Sequence, residues 1–223
     1  MKIAELFYSL QGEGSLIGVP SVFIRTSGCN LRCAWCDTPH TSWQPEGTEL
    51  ALERIVDEVR AYPAAHVVVT GGEPMIVPDV VALTERLRRL GRHITIETAG
   101  TVFQPVACDL MSISPKLANS APRDRWAAAH NRLRIQPAVL RQLMDRYPYQ
   151  LKFVIEKLGD MDEVRSLVDA LAAQRERVIL MPEGTDRECL RERAVWLAEV
   201  SKEEGFRFSP RLHVDLWGHR RGV

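Results

Sequence analysis

Three cysteines define the chemistry open to this chain. Cys29, Cys33 and Cys36 stand in Cys29-Asn-Leu-Arg-Cys33-Ala-Trp-Cys36, a C-x3-C-x2-C spacing. Three thiolates in one loop can grip three corners of a soft-metal site, and softness favours zinc or an iron–sulfur cluster. A structural zinc site wants four ligands, commonly as two pairs. Here the local count stops at three. A fourth from Cys108, Cys189 or His40 would close a zinc site, and unligated thiols are a further reading. The spacing favours a [4Fe–4S] cluster with one iron open to a substrate or cofactor.

A second string is Thr70-Gly71-Gly72-Glu73-Pro74. Paired glycines after a strand let backbone approach a ligand closely. A carboxylate such as Glu73 can accept hydrogen bonds from an ammonium. Alone, the string is also an ordinary strand-to-helix turn.

These strings need elements to position them. Short runs rich in Val, Ile or Leu at 22–26, 66–70, 93–98, 110–114, 150–155 and 177–181 read as buried parallel strands. Amphipathic patterns at 49–62, 79–90, 137–146, 160–175 and 186–204 read as helices. Strand–helix alternation implies parallel βα units, and about six units are too few for an eight-unit barrel. The expected fold is α/β: a partial (β/α)6 barrel, or a doubly wound sheet, in one domain spanning 1–223 with the cysteine loop at 27–39. Either architecture places the site at the carboxyl ends of the strands. Four polar or Gly-containing segments follow such ends: Ser27-Gly28-Cys29, Thr70–Pro74, Glu97-Thr98-Ala99-Gly100 and Ser114-Pro115-Lys116.

Composition narrows the class. The chain has 223 residues, 29 basic and 29 acidic side chains and a formal net charge of zero. Zero net charge argues against nucleic-acid binding driven by bulk charge. No apolar run reaches the roughly 18 residues of a membrane span. Residues 1–8 do not read as a signal peptide. Five cysteines, an odd number, argue against a disulfide framework and for a reducing, cytoplasmic setting. Area scaling expects roughly 10,000 Å² of folded surface, enough burial for a large core.

C-x3-C-x2-C with Trp35 before the last cysteine, followed by Gly71-Gly72-Glu73, resembles the radical S-adenosylmethionine superfamily. That resemblance implies an open iron that chelates adenosylmethionine, and a deoxyadenosyl radical that removes a substrate hydrogen. Leu10-Gln11-Gly12-Glu13-Gly14, Gly28-Cys29-Asn30, Cys36-Asp37-Thr38 and Ser114-Pro115-Lys116 narrow it further. Together they resemble the 7-carboxy-7-deazaguanine synthase family, over residues 5–116 and weakly again near the C-terminus. The family converts 6-carboxy-5,6,7,8-tetrahydropterin to 7-carboxy-7-deazaguanine with loss of ammonia, a lyase step toward queuosine. It implies a shortened barrel, a homodimer, Mg²⁺ and an external reductant such as flavodoxin.

Carried over position by position, the resemblance implies that Cys29, Cys33 and Cys36 hold the cluster. Leu10, Gln11, Gly12, Arg25 and Thr70 would meet the pterin, with His213 near it. Thr38 would bind Mg²⁺, with Asp37 orienting water or Thr38. Trp35, Cys36, Asp37, Gly72, Glu73, Ser114, Pro115 and Lys116 would surround adenosylmethionine, and Glu97 suits its ribose. Bland readings stand beside these. Gln11-Gly12 could be a turn, Arg25 a strand-face ion pair, Asp37-Thr38 a helix cap and Glu97 a structural pair. Cys108 and Cys189 read as core thiols. Two departures from some relatives are Met181, in place of a polar glutamine, and a basic tail at 218–223. Another small radical enzyme, such as a glycyl-radical activase, and a zinc-binding interaction module are the competing readings.

Overall fold

A computed structural model describes residues 1–223. The chain opens with a strand the sequence reading did not foresee, β1 (Lys2–Leu10), which returns antiparallel onto β2 (Pro20–Thr26). Phe7 and Phe23 stack across this hairpin at 5.0 Å. A four-residue helix, α1 (Pro39–Ser42), and a short edge strand, β3 (Thr48–Glu49), follow. Parallel units then run through α2 (Leu52–Arg60), β4 (His66–Gly71), α3 (Val80–Arg89), β5 (His93–Thr98) and β6 (Leu110–Ile113). Next come α4 (Ala127–Leu133), α5 (Pro137–Arg146), β7 (Tyr149–Ile155), α6 (Met161–Leu171), β8 (Val178–Pro182) and α7 (Arg187–Glu204). A two-residue strand, β9 (Arg207–Phe208), and α8 (Leu212–Trp217) complete the chain.

The sheet order is β3-β1-β2-β4-β5-β6-β7-β8-β9, parallel from β2 onward. Both ends of that order are free edges, so the barrel is partial and open. All six expected parallel strands are present. They are buried on both faces, as runs such as Val67-Val68-Val69 and Leu151 to Ile155 require. A cluster of 36 buried apolar residues fills the layer between sheet and helices, with Leu83, Leu87, Ile96, Ile113 and Phe153 at zero exposure. The surface is 10,198 Å², close to the value expected from chain mass.

The regular alternation breaks between β5 and β6, where no helix intervenes. A loop crosses instead, fixed by Gln104 Nε2 donating to Met75 O (2.8 Å), Ala107 N to Thr84 Oγ1 (3.0 Å) and Tyr147 Oη to Val106 O (3.0 Å). Two helix ends follow their sequence signals. Asp186 caps α7 by accepting from the amides of Glu188 and Cys189, and Gly205 ends it in the left-handed region at φ 67°.

Candidate active site

Inward side chains of successive strands meet in one cavity of about 460 Å³. Glu5 and Phe7 come from β1, Phe23 and Arg25 from β2, and Thr70 from β4. Glu97 comes from β5, Ser112 from β6, Lys152 from β7 and Met181 from β8. Alternation along a strand places such residues on one face, and most stand toward the carboxyl ends. The loop after β1, the cysteine loop after β2 and the glycine loop after β4 supply the rest.

The cysteine loop is tied to its surroundings mainly through backbone. Gly28 N donates to Thr41 O at 2.8 Å, and Ala34 N to Ser120 O at 2.9 Å. Arg32 Nη1 donates to the carbonyls of Cys29 (2.7 Å) and Leu31 (2.8 Å), and Arg32 N to His130 Nδ1 at 3.1 Å. Cys29, Cys33 and Cys36 all line the cavity as free thiols. They are not drawn together at metal-coordinating geometry, nor is any other set of three or more His, Cys, Asp or Glu side chains. Burial pushes the thiol of Cys29 up to about 12 and that of Cys33 up to about 11. Such thiols stay protonated at neutral pH unless a bound metal draws the proton off. Among the other candidate ligands only His40 reaches the cavity, where its Nε2 faces Glu5 Oε1 at 3.7 Å. Cys108 is buried at the opposite end of the sheet, just before β6. Cys189 sits in the first turn of α7, partly exposed, so it is not the core thiol the sequence suggested. Three soft donors without a second pair suit an iron–sulfur cluster better than closed zinc.

The glycine loop docks directly on the cysteine loop. Gly72 N donates to Thr26 O (3.1 Å) and Glu73 N to Gly28 O (2.9 Å). Glu73 stands behind the cavity wall. Its side chain is fully buried and does not line the cavity. Its carboxylate accepts from Thr98 Oγ1 (2.7 Å), Ala99 N (2.8 Å) and Met75 N (3.0 Å). Burial pushes its pKa up, and those donors oppose the shift. Glu73 therefore fixes the loop after β5 against the loop after β4. Pro115 also stays off the cavity wall, while its neighbours Ser114 and Lys116 line it. Lys116 Nζ donates to Ser114 Oγ at 2.9 Å and lies 5.6 Å from the Trp35 ring centre.

Every other expected residue lines the cavity. Glu97 links two of them, accepting from Gln11 Nε2 (3.1 Å) and Thr70 Oγ1 (2.8 Å). Arg25 pairs with Glu5 through Nε at 2.7 Å. Thr38 sits at the N-cap of α1 without a side-chain capping bond, and its hydroxyl makes only long contacts, accepting from Thr41 Oγ1 at 3.4 Å and facing Cys36 Sγ at 3.9 Å. His213 packs on Gly12, where an added Cβ would fall 2.0 Å from His213 Nδ1.

The largest electrostatic feature was not among the expected residues. Arg211, nearly fully buried, donates from Nε to Glu13 Oε1 (3.0 Å), from Nη1 to Gly184 O (2.5 Å) and from Nη2 to Asp37 Oδ2. Lys152 bonds the other oxygen of Glu13. Burial alone would raise the Glu13 and Asp37 carboxyls. Lys152 and Arg211 outweigh it at Glu13, and Arg211 does so at Asp37, so both stay well below the usual range. Lys152 was signalled by a charge inside the apolar run Leu151-Lys152-Phe153-Val154, and Glu13 by its string. Nothing in the sequence marked Arg211 as their partner. The tail lies over this end, with His219 Nε2 3.0 Å from Asp37 O and Arg221 paired to Glu46 at 3.0 Å.

His130 gives the cysteine loop a pH response. Its Nδ1 accepts from Arg32 N, and its Nε2 lies 2.9 Å from Ser120 Oγ. Burial lowers its pKa to about 4, against an ordinary 6.5. The unfolded chain therefore binds this proton first, so stability falls as pH drops from 6.5 toward 4 and levels off below. Thermal melts across that window should show the slope, and His130→Gln should flatten it. An unchanged slope would remove His130 as its source.

An open parallel barrel with a three-cysteine loop after its first parallel strand, met by a glycine loop after the next, defines a radical S-adenosylmethionine protein. The Radical SAM superfamily model matches residues 23–117. The chain belongs to the 7-carboxy-7-deazaguanine synthase family. It is 48% identical to the 7-carboxy-7-deazaguanine synthase of Halobacterium salinarum, over 97% of this chain and 90% of that one. It is 43% identical to that of Rhodopirellula baltica, over 99% and 88%. The crystal structure of QueE from Escherichia coli superposes with a TM-score of 0.69 at 29% identity, covering 95% and 94% of the two chains. Streptococcus suis SuiB, at 13% identity and a TM-score of 0.58, shares the fold over 84% of this chain.

Proposed function

We infer that this chain converts 6-carboxy-5,6,7,8-tetrahydropterin to 7-carboxy-7-deazaguanine with loss of ammonia, a lyase reaction on the route to queuosine. The observation that carries this is one cavity uniting the three cysteines, Gly72 and the Gln11–Thr70–Glu97 triad in a chain aligned with these synthases almost end to end. A [4Fe–4S] cluster on Cys29, Cys33 and Cys36 and adenosylmethionine beside Trp35, Gly72, Ser114 and Lys116, when bound, supply one-electron chemistry that starts with hydrogen removal.

The chain's own residues hold and orient. Glu5 engages only Nε of Arg25, so both Nη groups are left for a substrate carboxylate. Gln11 spends one N–H on Glu97 and accepts from Glu13 N, which leaves one N–H for a pyrimidine-like ring edge. Thr38, beside the Asp37 carboxylate that Arg211 anchors, offers its hydroxyl to Mg²⁺, a hard ion that favours oxygen. Leu10, Gly12 and His213 close the substrate side. The family resemblance adds a homodimer and an external reductant such as flavodoxin. A glycyl-radical activase must admit a protein backbone, and nothing among the Gln11, Thr70 and Glu97 contacts serves that purpose.

Anaerobic reconstitution with carboxytetrahydropterin, adenosylmethionine, Mg²⁺ and a reductant should give the deazaguanine. Deoxyadenosine without a ring-contracted product would overturn the substrate assignment, and a colourless protein with stoichiometric zinc would overturn the cluster. Thr38→Ala should raise the Mg²⁺ concentration needed for half-maximal rate by about tenfold or more, as loss of a direct ligand would. An unchanged Mg²⁺ titration would take Thr38 out of that role.

A further inference from the structure

Outside the cavity, one exposed feature touches the cysteine loop. Trp126 is 36% exposed, one of few large apolar side chains so placed. Two guanidiniums lie over its ring, Arg32 at 5.0 Å and Arg125 at 5.2 Å from the ring centre. Arg123 stands exposed two residues before Arg125, and Arg132 is exposed on α4. The chain's arginine ion pairs lie elsewhere, so none of these four arginines is neutralised by a carboxylate. Asp124 is exposed in the same run and accepts from Trp126 N at 2.9 Å, so four arginines stand against one carboxylate and the surface stays locally positive in a chain of zero net charge. Its inner edge is the site itself, since Arg32 adjoins Cys33 and donates to Cys29 O at 2.7 Å. His130, on α4, holds the amide of Arg32 from below.

We propose that the Arg32–Trp126–Arg125 surface, with Arg123 and Arg132, is the docking face for an acidic one-electron carrier protein that reduces the cluster. The inference rests on the cluster reading of Cys29, Cys33 and Cys36. A cluster there needs one electron from outside for each cleavage of adenosylmethionine. One electron leaves the carrier and one enters the cluster, with no group transferred. Unpaired arginines complement an acidic partner and speed encounter. Trp and Arg are among the residue types most enriched at the positions that carry most interface energy. Because the guanidinium of Arg32 reaches the Cys29 carbonyl, a partner seated on Trp126 stands within one side chain of the cluster loop.

The test uses the reconstituted full chain and a reduced flavodoxin of net negative charge. Arg125→Glu and Trp126→Ala should each weaken flavodoxin binding, read by fluorescence anisotropy, by about tenfold or more. Bleaching of the cluster's visible absorption by flavodoxin should slow in step, while bleaching by dithionite stays at the parent rate. Added salt should weaken parent binding and have little further effect on Arg125→Glu. Arg123→Glu is a second charge reversal on an exposed position. Binding and bleaching are read without substrate, so failure of the pterin assignment would leave this test intact. Parent-like flavodoxin affinity in all three variants would overturn the proposal. So would variants that keep flavodoxin binding but turn a dimer into a monomer, which would give the face to a second copy of the chain.

Discussion

Replacing Arg211 with Met should lower the unfolding free energy by about 3 kcal/mol, the low end of the range for removing one partner from a buried charge pair, because the Asp37 side chain is 40% exposed. Three segments far apart in sequence meet on this guanidinium: Glu13 after β1, Asp37 in the cysteine loop and Gly184 after β8. Met fills much of the volume but satisfies none of these acceptors. Asp37 would lose its charged partner outright, whereas Glu13 would keep Lys152. Turnover should fall by about 100-fold, because Asp37 carries Thr38 and Cys36 with it and a displacement near 1 Å costs that much. Arg211→Lys should recover only part, since an ammonium cannot reach three divergent acceptors. Urea titration and steady-state rates at saturating adenosylmethionine check both effects. Stability within about 1 kcal/mol of the parent would show that the network is not what holds these segments together. The same pairing sets an acid limit. Its contribution is complete above the ordinary pKa values of 4.5 for Glu13 and 3.8 for Asp37, and is lost as pH falls below them.

The network also shows where sequence reading stops. Buried parallel strands announce themselves as continuous apolar runs, and all six were legible for that reason. The β1–β2 hairpin was not, because β1 is an outer strand carrying Lys2 and Glu5 and is only half-buried. No helical pattern is legible between 93–98 and 110–114, and β5 does run to β6 without a helix. Within the site, local strings located Gln11, Gly12, Thr38, Thr70, Gly72 and Lys116 on the cavity wall. What local strings cannot carry is pairing across the barrel. Glu13 and Arg211 are 198 residues apart, and only closure of the fold makes them partners. Glu73 illustrates the same limit. Its type and position suit an ammonium ligand, and its string does not show that Met75, Thr98 and Ala99 donate to its carboxylate.

Within the glycine string, Gly72 lines the cavity and packs on the cysteine loop, and a Gly72→Ala variant tests that contact. A methyl there would lie 2.0 Å from Gly28 O, 2.5 Å from Gly28 C and 2.8 Å from Thr41 O, all of them backbone. No rotamer change can relieve such contacts, so the two loops must separate. The Glu73 N to Gly28 O bond of 2.9 Å, which joins them, is the first to go. Adenosylmethionine binding should weaken strongly, and turnover should drop by about 100-fold or more for a displacement near 1 Å. Iron content should fall less than affinity, because the clash falls on Gly28, beside Cys29, and not on Cys33 or Cys36. Gly159→Ala is the matched control. Its added methyl meets nothing within 4 Å, and its effect should stay within about 0.5 kcal/mol with parent turnover. Calorimetric titration with adenosylmethionine and iron counted per chain separate the two loops' roles. Gly72→Ala with parent affinity would mean that the close approach of the glycine loop serves packing alone. Lost iron together with lost affinity would mean that the glycine loop also shapes the cysteine loop, a coupling that the Gly28 contacts make physically direct.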